Sequence, residues 1–101
     1  MSTALSNPQK RYLRGLAHDL KPIVLVGAKG ITPSLVAELD QALDQHELIK
    51  VKVAAEDRET RDAWIADLAG QSEAELVSRI GHTAVLYRRS KDKPLVILPR
   101  G

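Results

Sequence analysis

A chain of 101 residues with 44% apolar and 28% charged side chains suits one globular domain with a modest core, which excludes wholesale disorder and a two-domain build. It contains no cysteine and only three aromatic residues, Tyr12, Trp64 and Tyr87, which excludes disulfides, thiol chemistry and cysteine-bound zinc and leaves few platforms for stacked bases. The net charge is only +2, yet residues 1–30 carry five bases against Asp19, residues 31–78 four bases against eleven acids, and residues 79–101 six bases against Asp92.

After a short polar start, Asn7-Pro8 reads as an N-cap followed by proline at the first helical position. The helix it starts is expected to run to about Leu20, with Leu13, Leu16, Ala17 and Leu20 at the spacing of one buried face. At 100° per residue, Lys10, Arg14, His18 and Lys21 fall on an adjoining cationic stripe, with Arg11 beside it. Pro22 ends this helix. Ile23-Val24-Leu25-Val26 is a continuous apolar run, as expected of a strand buried on both faces.

Gly27-Ala28-Lys29-Gly30 follows that strand directly. Thr32-Pro33 then repeats the cap-plus-proline signal and opens a helix to about His46, with Leu35, Val36, Leu39, Ala42 and Leu43 on its apolar face. In the next segment Ile49, Val51 and Val53 alternate with Lys50 and Lys52, a strand with one dry and one wet face. A third helix is expected from about Arg58 to Ala69, burying Trp64, Ile65 and Leu68 and stopping at Gly70. Its early acids Asp57, Glu59 and Asp62 suit the positive end of the helix dipole.

Two further strands, about 74–80 and 83–88, are joined at Gly81-His82 in the manner of a type II′ hairpin. A basic loop (89–93) and a short edge strand (95–98) complete the reading. The expected fold is therefore a single α/β domain over residues 1–101, with its core at about 7–98. Its order is α-β-α-β-α-β-β, with helices packed on one mixed four-stranded sheet. Each β-α-β crossover is expected to make parallel neighbours, and the hairpin to add an antiparallel strand.

No apolar run approaches the roughly 18 residues of a membrane span, and residues 1–10 lack the apolar stretch of a signal peptide, so a cytoplasmic location is expected. The histidines His18, His46 and His82 lie on different elements without metal-ligand spacing, and no serine sits in a nucleophile-elbow context. Glu38, Asp40 and Asp44 read as a solvated helix face rather than a catalytic carboxylate set. Neither an enzyme, nor a metal site, nor a cofactor is expected.

The Gly27–Gly30 loop is the most informative short feature. Glycines let backbone approach a ligand, the following helix N-terminus offers unpaired N–H groups to an anion, and Lys29 adds charge. The spacing fits neither a P-loop nor a Rossmann fingerprint. Taken alone, G-x-x-G also fits an ordinary strand-to-helix turn. With the cationic stripe, it is a candidate phosphate contact. The two basic ends of the chain are expected to meet in one patch beside this loop, against the alternative that the charges only solvate the surface.

Four ordered blocks, Arg11 to His18, Val26 to Thr32, Glu47 to Val53 and Ile80 to Arg88, resemble the CRM (chloroplast RNA splicing and ribosome maturation) domain in its bacterial stand-alone YhbY form. The resemblance implies an RNA-binding fold similar to the C-terminal domain of translation initiation factor three. It also implies association with ribosomal RNA in precursors of the large ribosomal subunit. The family's loop matches at Gly27, Lys29 and Gly30, and its basic helix at Arg11, Arg14 and His18, whereas the neutral Ala28 stands where the family is often basic. The candidate RNA-binding set is thus Lys10, Arg11, Arg14, His18, Lys21 and the loop Gly27, Ala28, Lys29 and Gly30. Lys50, Lys52, Arg79 and Arg88 are secondary candidates. A second reading is a docking adapter whose acidic middle, especially Glu38, Asp40 and Asp44, meets a basic ribosomal protein.

Overall fold

The computed structural model describes residues 5–89. Elements follow in the order α1 (Asn7–Ala17), β1 (Pro22–Val26), α2 (Pro33–His46), β2 (Leu48–Val53), α3 (Arg58–Ser72), β3 (Glu75–Ile80) and β4 (Thr83–Tyr87). The expected element order and single mixed four-stranded sheet are what the described residues form. The expected 95–98 strand and most of the basic loop lie outside the described residues.

The sheet order is β1-β2-β4-β3. β1 and β2 are parallel through α2, as expected. The second crossover departs from expectation: β4 stands between β2 and β3 and is antiparallel to both. The reason is local. The tight turn at Gly81-His82 obliges β3 and β4 to be adjacent, and β4, buried from Ala84 to Tyr87, takes the central place with its row of apolar side chains. Gly81 has φ +58° while His82 is not among the positive-φ residues, the pattern of a type II′ turn.

Two clusters form the core, one on each face of the sheet. On one face α2 and α3 cover Val24, Val26, Ile49, Val51, Val53, Ala84 and Leu86 with Leu35, Leu39, Leu43, Ile65 and Leu68. On the other, α1 buries Leu13 and Ala17 against Leu48, Val77, Val85 and Tyr87. The smaller cluster leaves part of its face open. Ile23 and Leu25 of β1 are exposed, so this strand is buried on one face only, contrary to the doubly buried strand its apolar run suggests. An edge position and a helix that packs over the far strands account for the difference.

Helix ends also depart from expectation in detail. The cap of α1 is Ser6, whose hydroxyl accepts from Gln9 N while the Gln9 side chain accepts from Ser6 N. This reciprocal capping box places Asn7 and Pro8 inside the first turn. The helix stops at Ala17, because Pro22 pushes Lys21 into extended backbone and the chain must turn before it. Of the four residues expected on its buried face only Leu13 and Ala17 are buried; Leu16 and Leu20 are exposed, Leu20 lying beyond the helix end. Thr32 caps α2 as expected, accepting from Leu35 N at 3.1 Å. α3 runs through Gly70 to Ser72 and ends at a left-handed Glu73, φ 57°, whose N–H bonds back to Ala69 and Gly70.

Candidate nucleic-acid interface

The Gly27–Gly30 loop closes as a tight turn, with Gly30 N donating to Gly27 O at 3.0 Å. Neither Ala28 nor Lys29 has positive φ, so the turn belongs to the type I class. The two glycines serve different ends. Gly30 is buried at φ +79°, and a Cβ there would lie 3.0 Å from Cζ2 and 3.2 Å from Cε2 of Trp64. Trp64 thus packs against the core, as expected, and is also the floor under the turn. Gly27 is exposed, has no positive φ, and a Cβ on it would meet nothing within 4 Å. Neither packing nor conformation demands glycine there, and the space in front of its backbone is open.

Lys29 projects from the exposed crest of the turn, and α2 begins just beyond it at the Thr32 cap. This arrangement sets a lysine and an exposed backbone beside the positive end of a 14-residue helix, which favours an anionic group. Ala28 is exposed and adds no charge.

On α1, Arg11 and Arg14 are exposed and Lys10 is half-buried, while His18 forms the C-cap. Lys21 lies beyond the helix end and so is not on its stripe, although it too is exposed. The path from this helix to the loop runs along the sheet. The His18 carbonyl accepts from Lys50 Nζ at 3.4 Å; Lys52, two residues on, is paired with Leu25 of β1; Gly27 follows two residues later. Both strand lysines lie on the α1 side, because Ile49, Val51 and Val53 point into the opposite core. Lys10, Arg11, Arg14, Lys21, Lys29 and Lys52 have no carboxylate partner among the described residues.

Arg79 and Arg88 are placed differently. Arg79 pairs with Asp62 of α3 at 2.7 Å, and its register partner Ala84 belongs to the α2/α3 core. Arg88 binds the Asp40 and Asp44 carboxylates, the Asp40 carbonyl and, at 2.8 Å, the Ser72 carbonyl. Burial opposes its charge, but hydrogen bonding and attraction to Asp40 and Asp44 outweigh this and hold its pKa above the ordinary guanidinium value. The expectation that both basic ends share one patch fails for these two arginines. They sit on the α2/α3 side and tie helices to the sheet.

Sequence reasoning also missed what His82 does. The Arg61 guanidinium approaches its Nε2 at 2.8 Å, and Nδ1 lies 3.0 Å from the Val53 carbonyl. An arginine can only donate, so Nε2 accepts and Nδ1–H donates to Val53. His82 thereby pins the hairpin to the end of β2. No spacing rule would find this link. Among the described residues, no three His, Asp or Glu side chains converge as a metal site. No helix among them is long and apolar enough to cross a membrane.

The chain is a small α/β domain with an exposed G-x-x-G turn and, on the α1 side of its sheet, cations without a carboxylate partner among the described residues. The chain matches the CRS1 / YhbY (CRM) domain over residues 5–88 and belongs to that family. It is 48% identical over 98 residues to a Haemophilus influenzae protein named "RNA-binding protein", covering 97% of this chain and 98% of that one. It is 39% identical over 95 residues to the Bacillus subtilis protein named "Probable RNA-binding protein YqeI", covering 94% and 99%. The solution structure of a Staphylococcus aureus protein, described as a candidate RNA-binding protein, superposes with a TM-score of 0.82 at 38% identity, covering 94% of this chain and 99% of that one.

Proposed function

We propose that this chain is a non-catalytic RNA-binding protein that holds RNA backbone at the Gly27–Lys29 turn. The cations of α1 and β2 neutralise neighbouring phosphates, and its RNA is ribosomal, within precursors of the large subunit in the cytoplasm. The observation that carries the reading is the exposed turn, where Gly27 leaves open backbone that the fold does not require. Lys10, Arg11, Arg14, Lys29 and Lys52, without carboxylate partners among the described residues, supply the charge. Family membership and the names of relatives support RNA as the partner. The ribosomal assignment rests on the resemblance of the four sequence blocks.

The adapter reading loses support from Arg88, which already occupies Asp40 and Asp44. Crosslinking the protein to RNA in growing cells and mapping the contacted nucleotides tests the proposal. Contacts concentrated in the large-subunit ribosomal RNA and its precursor are expected. Contacts scattered over messenger RNA would overturn the ribosomal assignment, and crosslinks to ribosomal proteins alone would overturn RNA binding in favour of the adapter reading.

A further inference from the structure

The α1 side of the sheet carries an apolar surface that no described element covers. The register places Leu25, Lys52, Thr83 and Ile80 in one row across all four strands. Leu25 is 59% exposed and Ile80 79% exposed. Ile23, 50% exposed, lies further back on β1. On the reverse of the same strands Val24, Val26, Val51, Val53 and Ala84 are buried. The asymmetry follows from α1, which packs over Leu48, Val77, Val85 and Tyr87 and ends where His18 meets Lys50. The described elements leave the row beyond Lys50 open.

We propose that this row is a seat for unpaired RNA bases, and that it makes the protein select single-stranded over duplex RNA. The inference rests on the RNA-binding reading above. Four strands at about 4.8 Å spacing give a row about 14 Å long, enough for bases to lie side by side. Its two large apolar side chains flank Lys52 and Thr83, so it offers an apolar floor with a cation and a hydroxyl set into it. Unpaired bases match that chemistry, with apolar faces, polar edges and a phosphate chain beside them. A wholly apolar protein partner does not, because it would bury Lys52 without a counter-charge. The surface is continuous with the candidate backbone contact, since Leu25 is two residues before Gly27. In a duplex the bases are stacked inside and cannot reach the floor, so aliphatic side chains do here what the scarce aromatics cannot.

The test compares the wild type with Leu25→Ser/Ile80→Ser on three probes: a single-stranded oligoribonucleotide, the same strand annealed to its complement, and an abasic strand of equal length. Wild type is expected to prefer the single strand over both others. The double variant should lose about tenfold in affinity for it alone, since two apolar contacts, each only partly covered by a base, are removed. Leu25→Met/Ile80→Val, which keeps the apolar area, should bind as wild type does and shows that any loss is not a folding defect. Equal wild-type affinity for the intact and abasic strands, with no effect of the serine pair, would overturn the base seat while leaving backbone binding intact. Failure to bind any of the three would overturn both. A wild-type dimer that the serine pair dissolves at unchanged RNA affinity would make the face a contact between copies and would also overturn the seat.

Discussion

Gly27 and Gly30 stand three residues apart, yet their substitution should have opposite consequences. At Gly30 a side chain meets Trp64 and the backbone has φ +79°; the left-handed conformation alone costs a non-glycine residue about 1–2 kcal/mol. Gly30→Ala should therefore lower the melting temperature, with any RNA effect following from lost fold. At Gly27 nothing obstructs a Cβ, so Gly27→Ala should melt at or slightly above the wild-type temperature, since alanine restricts the unfolded chain, and still bind RNA several-fold more weakly. Thermal melts paired with filter binding separate the two. Lys29→Ala should keep the fold and flatten the log–log salt dependence of RNA binding by about 0.7, the value for one lost single-strand phosphate contact. An unchanged slope would make the loop an ordinary turn before α2.

Among the elements, α3 depends on its cap. Asp57 accepts from Thr60 N at 2.9 Å and from the Thr60 hydroxyl at 3.1 Å. The Thr60 backbone bond foremost, then that hydroxyl, hold its pKa below the ordinary carboxylate value. A lowered pKa means the unfolded chain binds the proton first as pH falls. The cap's contribution is thus present above the ordinary carboxylate range and lost as pH drops through the folded value. Asp57→Asn, which retains a capping oxygen, should melt lower than wild type at neutral pH, with the difference shrinking in acid. Arg88 fastens another junction, between β4, α2 and α3, and Arg88→Ala should cost about 1–2 kcal/mol by chemical unfolding, since charge-assisted hydrogen bonds are lost but Asp40 and Asp44 remain solvated.

The order of these elements was legible because each helix and strand carries a local signal. The Thr32-Pro33 cap, the Leu35/Leu39/Leu43 stripe and the alternation of Ile49, Val51 and Val53 depend only on period and turn chemistry. What stayed hidden depends on contacts between distant residues. The exposure of Ile23 and Leu25 follows from how far α1 reaches, the central place of β4 from strand pairing, and the left-handed end of α3 at Glu73 from a cap that no glycine announces. At the candidate site the exposed lysine and the open glycine were legible. The role of Gly30 was not, because Trp64 is 34 residues away in sequence. The ion pairs that engage Arg79 and Arg88 were invisible for the same reason.

For the whole molecule, the uneven charge along the chain becomes an uneven charge across the sheet. Cations of α1 and β2 without a carboxylate partner among the described residues lie on the α1 side and Lys29 stands on the turn that leads into α2, while Arg79 and Arg88 join the acidic residues of the α2/α3 side as internal ties. Reversing Lys10 and Arg14 to glutamate should therefore sharply weaken RNA binding, whereas a protein-docking role for the acidic side would leave binding nearly intact. The central claim is that phosphate neutralisation on the cationic side drives association. It is tested most directly by measuring the affinity of the wild-type protein for a single-stranded ribosomal RNA fragment across a salt series. Neutralisation of about five phosphates predicts a log–log slope of roughly −3.5; a slope near zero would contradict it.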